Sequence, residues 1–193
     1  MIILPKDEAA PDLRPDMAVL AIGLVAIAII SATTLPYATA IASTVLGALM
    51  LSGADIDART LLLPDVITLG ALIGGLAAAP VLDPSQPLQA VASATARATL
   101  ATLAVGLLRW SYSAMRGREG LGWGDIKLAA AIGAWLPLAA VPMCFALATA
   151  AALLAVGLAW LRGHHVCGAL KIPFGAFLCP ALWLSFYANA VAN

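Results

Sequence analysis

The sequence predicts an all-α integral membrane protein, a polytopic bundle of about seven transmembrane helices. Of its 193 residues, 63% are hydrophobic and 10% are charged, and the mean hydropathy is +0.99. A soluble domain usually has about a quarter of its residues charged, so these charges are too few to solvate a globular surface. The formal net charge of +0 argues against a nucleic-acid-binding protein. The apolar segments also lack the period-two alternation of a membrane β-barrel.

Long charge-free segments locate the helices. A spanning helix needs about 20 apolar residues, and the segments 17–54 and 128–161 are each long enough for two. We divide the chain into a cytoplasmic N-terminal tail, 1–16, and a membrane-embedded domain, 17–193. The predicted spans are 17–32, 37–54, 66–82, 88–108, 126–138, 141–161 and 174–191.

Seven spans place nine of the ten basic residues on one side of the membrane. The positive-inside rule makes that side cytoplasmic, with the N-terminus in the cytoplasm. Arg97 is the exception, since it lies inside an apolar segment and is expected either to reach the outer face or to pair with an acidic residue inside the bundle. The N-terminal tail is too acidic for a secretory signal, so the first helix is expected to be retained. The nine basic residues are Lys6, Arg14, Arg59, Arg109, Arg116, Arg118, Lys127, Arg162 and Lys171.

Five acidic residues at the cytoplasmic side form two clusters. Asp55, Asp57 and Asp65 connect spans two and three, while Glu119 and Asp125 precede span five. In a structural interpretation, Asp65 and Asp125 cap helices and Asp57 belongs to a surface ion pair. In a functional interpretation, one carboxyl group from each cluster joins in activating water. The ionised group then accepts a proton and the protonated group polarises a carbonyl.

No metal or cofactor site is expected. The cysteines Cys144, Cys167 and Cys179 form no C-x-x-C motif and are interpreted as small buried residues. His164 and His165 are adjacent in a predicted loop, and two neighbouring histidines do not form a metal site. The sequence also lacks the G-x-S-x-G, H-E-x-x-H and phosphate-loop motifs of other enzyme classes.

Three motifs occur in order along the chain, with predicted spans between them. They are the segment from Asp57 to Pro64-Asp65, then Gly122-Trp123-Gly124-Asp125, then Lys171-Ile172-Pro173-Phe174-Gly175. Together they resemble the motifs of the type IV prepilin peptidase family, whose members are GxGD intramembrane aspartic proteases. The resemblance covers residues 45–190.

This resemblance implies a membrane aspartic endopeptidase in the inner membrane of a bacterial cell. Its substrate would be a type IV prepilin or a type II secretion pseudopilin, cleaved after a glycine at the cytoplasmic membrane face. Membrane lipid is the other expected partner, nucleic acid is not expected, and the oligomeric state is not predicted. The alternatives are a proton- or cation-coupled transporter and an inactive structural subunit of a pilus or secretion assembly.

The resemblance also implies which residues form the site. The catalytic pair would be Asp57 and Asp125, and Asp57 is preferred over Asp55 because the family's first aspartate lies seven residues before the motif proline. Many members carry a cysteine-rich cytoplasmic insertion between the first two spans that is associated with N-methylation. This chain resembles a short form without it, so methyltransferase activity is not predicted. The expected supporting residues are Gly122, Gly124, Lys127, Asp65, Glu119, Pro173, Phe174 and Gly175.

Overall fold

Helices account for nearly all of the described chain. The computed structural model describes residues 15–117, 122–162 and 173–192, and within these ranges the chain forms no strand. The all-α fold predicted from composition is therefore confirmed. The helices are α1 (Met17–Thr34), α2 (Tyr37–Thr60), α3 (Asp65–Leu82), α4 (Pro87–Arg116), α5 (Trp123–Trp135), α6 (Val141–Leu161) and α7 (Phe174–Ala192).

Six of these helices are long and apolar enough to cross a membrane. The remaining described helix, α5, has 13 residues and rises only about 20 Å, less than a hydrocarbon core of about 30 Å. Nearly all of α5 from Ile126 to Trp135 is buried against other helices. The chain is therefore a multi-pass membrane protein, with α5 as a short helix enclosed by longer ones.

Two helices extend beyond their predicted spans. Helix α2 continues to Thr60 rather than ending at residue 54, and α4 continues to Arg116 rather than ending at residue 108. As a result, Asp55 and Asp57 lie in the last turns of α2 and not in a loop. Helix α5 also begins earlier than predicted, so Asp125 lies in its first turn.

The buried core lies between α2, α3, α5 and α7. Helix α2 packs against α1, α3 and α7, while α5 packs against both α3 and α4, and α6 packs on α7. Many large apolar side chains face outward, as in a protein surrounded by lipid. The largest fully buried side chains of the core include Leu46, Met50, Leu128, Ile132, Leu178 and Leu182.

Polar contacts inside the bundle hold the C-terminal end of α5. The indole Nε1 of Trp135 donates to the carbonyl oxygen of Ala71 at 2.7 Å, and Nε of Arg97 donates to the carbonyl oxygen of Gly133 at 3.2 Å. The last carbonyls of a helix have no partner within the helix, and lipid offers no donors. Among the described residues Arg97 therefore pairs with no acidic side chain, contrary to one expectation, and instead supplies a donor to the end of a neighbouring helix.

The close approach of α4 and α5 at Gly133 gives a first prediction. A Cβ atom at Gly133 would lie 2.7 Å from the Cα atom of Ala98, and a backbone atom within a helix cannot easily move aside. We expect Gly133→Ala to lower the free energy of unfolding by about 1–3 kcal/mol, measured by unfolding of the purified protein in detergent. Gly106→Ala on α4 is the matched control, because an added Cβ there meets no atom within 4 Å. Equal stability of the two variants would contradict the close approach.

Candidate active site

The Asp57 carboxyl group lies against the beginning of α7. Asp57 is only 6% exposed, and its Oδ2 accepts a hydrogen bond of 2.8 Å from the backbone N–H of Ala176. The first N–H groups of a helix have no partner within the helix and carry a partial positive charge. The first turn of α7 therefore supplies both a donor and a favourable field to a buried carboxyl group.

Gly175 makes this contact possible. A Cβ atom at this position would lie 2.9 Å from both Cγ and Oδ2 of Asp57, which is closer than two such atoms can pack. Pro173 directly precedes α7, and Phe174, its first residue, packs against the core cluster. The structure thus places all three predicted residues of this motif at the Asp57 end of the bundle.

Asp125 is the third residue of α5 and is half-buried. Its carboxyl group accepts a hydrogen bond from the backbone N–H of Gly122, which is the N-cap residue of the helix. The expectation that Asp125 is itself the cap is therefore wrong. Its side chain instead folds back to the N–H group of the cap residue, as the acidic residue of a capping box does.

Gly124 allows the connection between α2 and α3 to approach Asp125. A Cβ atom at Gly124 would lie 3.0 Å from the Cβ atom of Leu63, which leaves little room for any side chain. The two glycines of the motif therefore have different roles. Gly122 begins the helix with a backbone donor for Asp125, while Gly124 permits close packing.

The two aspartates influence each other electrostatically. The pKa of Asp125 is raised from 3.8 to about 6, first because burial disfavours its charged form and second because Asp57 is nearby and negatively charged. The hydrogen bond from Gly122 acts in the opposite direction. Such a pair retains one proton at a pH where separate carboxyl groups have lost theirs.

Asp55 faces a different part of the molecule. Its Oδ2 accepts hydrogen bonds of 2.7 Å from the backbone N–H of Asp16 and 2.7 Å from Nη2 of Arg59. Residues two apart on a helix point in nearly opposite directions. The structure therefore brings Asp57 to α7 and Asp125, and uses Asp55 to connect the beginning of α1 to the end of α2.

An ion pair joins the first turns of α3 and α5. Nζ of Lys127 lies 2.5 Å from Oδ1 of Asp65, and both side chains are substantially exposed. Asp65 is the first residue of α3, with Pro64 at the N-cap position, so the expectation that Asp65 caps this helix is wrong. Both charged residues are predicted site residues, but the sequence does not predict their pairing, because 62 residues separate them along the chain.

A cation–π contact at the same end of the bundle is not predicted by the sequence. The Cζ atom of Arg109 lies 4.6 Å from the ring centroid of Trp123, within the range of a cation–π contact. It connects α4 to the first residue of α5, beside Asp125. No spacing in the sequence indicates this contact, since it depends on the extension of α4 beyond its predicted end.

The other residues singled out in the sequence lie either in the core or outside the described part of the chain. Cys144 and Cys179 are fully buried in the core, as expected. Glu119, Lys171, Cys167 and the two histidines lie outside the described residues. Within the described ranges, no group of three or more His, Cys, Asp or Glu side chains is arranged to hold a metal ion.

The fold and this site define a class: a multi-pass membrane protein that brings two carboxyl groups together where α2 ends and α5 and α7 begin. The family model described as "Type IV leader peptidase family" matches residues 44–158, a range that contains both aspartates. The chain belongs to this family, as its motifs predicted.

Curated relatives agree with the family match. A "Prepilin leader peptidase/N-methyltransferase" from Dickeya chrysanthemi is 43% identical over 154 residues, which is 77% of this chain and 52% of the relative. A protein of the same name from Aeromonas hydrophila is 37% identical over 131 residues, which is 67% of this chain and 43% of the relative. The chain thus spans about half the length of the curated relatives it matches. No solved structure matches significantly.

The raised pKa of Asp125 gives a second prediction. The folded state holds this proton more tightly than the unfolded state does, so its contribution to stability is present below about pH 4 and is lost as the pH rises to about 6. An asparagine cannot ionise, so Asp125→Asn does not lose this stability as the pH rises. We measure the melting temperature of the variant minus that of the wild type by thermal unfolding in detergent. This difference is expected to be larger at pH 7.5 than at pH 4.5.

Asp83→Asn is the control for this comparison, because it removes one exposed carboxyl group at the other end of the bundle, where α3 ends. If the difference in melting temperature between Asp125→Asn and wild type is the same at both pH values, Asp125 does not have a raised pKa.

Proposed function

We propose that this chain is a membrane aspartic endopeptidase that removes the N-terminal leader of type IV prepilins or type II secretion pseudopilins, cutting after a glycine. One observation carries the proposal. Asp57 and Asp125 come from different helices, yet they lie close enough for the charge of one to raise the pKa of the other. The names of the relatives, which include prepilin leader peptidase, support the same reaction.

The surroundings of the two carboxyl groups suggest their roles. Asp125 is the partner that takes up a proton as the pH falls to about 6, because burial and the charge of Asp57 raise its pKa to about that value. Asp57 is the ionised partner, with the N–H of Ala176 directed at its Oδ2. One carboxylate and one carboxylic acid are the combination that activates water without a metal or a nucleophilic side chain.

The proposed reaction starts with a water molecule between the two groups. Asp57 takes a proton from this water while the water oxygen attacks the carbonyl carbon of the scissile peptide bond. Asp125 gives its proton to the carbonyl oxygen. The tetrahedral intermediate then breaks its C–N bond. Asp57 passes its proton to the departing amine nitrogen, and Asp125 regains a proton from a hydroxyl of the intermediate.

Two contacts around the site are suited to positioning Asp125. The ion pair of Lys127 with Asp65 connects the first turn of α5 to α3, and Arg109 stacked on Trp123 connects it to α4. Both contacts fix the helix turn that carries the proton donor. Such fixed geometry is what general acid catalysis requires, since misplaced groups lose much of their effect.

We place this site at the cytoplasmic face of the bacterial inner membrane, with the N-terminus in the cytoplasm. The distribution of basic residues supports this placement, since Arg59 is in the last turn of the helix that carries Asp57, Arg109 contacts Trp123 beside Asp125, and Arg116 ends the same helix as Arg109. A leader cut at this face would leave the apolar pilin helix in the membrane.

Replacing each aspartate tests the proposal. With purified protein and a prepilin in detergent, Asp57→Asn and Asp125→Asn are each expected to reduce the cleavage rate by about a thousandfold or more, because each removes one half of the acid–base pair. Asp55→Asn is the matched control and should retain cleavage within about tenfold, since an exposed ion pair contributes little. Cleavage products are measured by gel shift over time.

Two results would contradict the proposal. If Asp57→Asn cleaves the prepilin at the wild-type rate, Asp57 does not take part in the reaction. No cleavage by the wild-type protein with its cognate prepilin would favour an inactive assembly subunit or a transporter instead.

A further inference from the structure

A cavity of about 220 Å³ opens at the end of the bundle opposite the two aspartates. It forms where α3 ends, where the first half of α4 passes, and where α5 ends. Its lining is mixed: Leu82 and Trp135 are among the apolar residues, and two charged side chains, Asp83 and Arg97, also line it. The proposed peptidase reaction uses neither of these charged groups.

Arg97 reaches the cavity from inside the membrane-spanning part of α4. It lies ten residues after the first residue of α4, about 15 Å along the helix. Nε donates to the carbonyl oxygen of Gly133 at 3.2 Å and Nη1 donates to Oγ of Ser93 at 3.1 Å. A guanidinium has five N–H donors, so these two bonds leave donors for a ligand in the cavity.

Asp83 lines the same cavity but does not pair with Arg97. Its carboxylate accepts a hydrogen bond of 2.6 Å from Oγ of Ser85. The ion pairs seen in the described part of the chain are Arg59 with Asp55 and Lys127 with Asp65, and neither involves these two charges. A cation and an anion therefore border one cavity with a gap between them.

We propose that this cavity binds the zwitterionic headgroup of a phosphatidylethanolamine-type lipid. The phosphate accepts from the remaining N–H groups of Arg97, and the ammonium donates to the carboxylate of Asp83. The apolar wall formed by Leu82 and Trp135 receives the start of the lipid chains. Charged side chains at membrane depth require such partners, and the surrounding membrane supplies this ligand.

Charge complementarity selects a zwitterion over an anion. A purely anionic headgroup would satisfy Arg97 but would also bring a negative charge towards Asp83. The ammonium group of phosphatidylethanolamine removes that conflict and adds hydrogen-bond donors. A free phosphate ion has the phosphate chemistry without the ammonium or the apolar chains, so it should bind weakly.

The test is a binding titration on the full chain in detergent. Short-chain phosphatidylethanolamine, short-chain phosphatidylglycerol and inorganic phosphate are added separately, and binding is measured by native mass spectrometry and by the shift in melting temperature. We expect phosphatidylethanolamine to bind most tightly. Arg97→Gln should weaken it about tenfold, because a charge-assisted hydrogen bond is lost.

Asp83→Asn carries the specificity test. This exposed position tolerates substitution, so the variant remains informative even if Arg97→Gln does not fold. We expect Asp83→Asn to bind phosphatidylglycerol as well as it binds phosphatidylethanolamine. Unchanged preference in Asp83→Asn, unchanged affinity in Arg97→Gln, or an equal effect of inorganic phosphate on wild type would each overturn the proposal.

Discussion

The contact between the Asp57 carboxyl group and the first turn of α7 is the constraint on which the rest of this site depends. A carboxyl group that is only 6% exposed must recover the hydrogen bonds it loses on burial. The N–H of Ala176 provides one, and the absence of a side chain at Gly175 lets the helix come close enough to do so. The end of α2 and the beginning of α7 are thereby fixed to each other.

Glycines at other helix contacts extend the same arrangement through the bundle. Gly124 brings Leu63 against the first turn of α5, and Gly133 brings the backbone of α4 against the last turn. Gly53 on α2 lies against the thiol of Cys179 on α7 in the same way. The hydrophobic effect contributes little to helix association in lipid. Van der Waals contacts between closely packed helices, which small residues allow, stabilise the bundle instead.

The sequence alone predicts the helices well and their contacts poorly. Charge-free length locates α1, α3, α6 and α7 closely, because burying a charge in lipid is costly wherever it occurs. It does not show that α2 continues past residue 54, because polar residues at the membrane edge are compatible with either a helix or a loop. The predicted spans therefore put Asp57 in a connecting segment, although the motif resemblance identifies it as a site residue.

Contacts between distant residues could not be predicted because no local pattern encodes them. Lys127 and Asp65 are both recognisable as site residues, but their pairing depends on α3 and α5 beginning at the same end of the bundle. Arg97 is conspicuous as a charge in an apolar segment, yet its partner is a backbone carbonyl that becomes available only because α5 ends at Trp135. The electrostatic coupling of Asp57 and Asp125 likewise follows from packing.

The most direct test of the account is whether Asp57 and Asp125 face each other in the membrane. In a background with Cys144, Cys167 and Cys179 replaced, the double variant Asp57→Cys with Asp125→Cys should be joined by a short thiol cross-linker, which is detected after proteolysis between the two positions. Asp55→Cys with Asp125→Cys is the matched pair and should not be joined, because Asp55 faces Arg59 and Asp16. Cross-linking of the second pair in preference to the first would contradict the central claim.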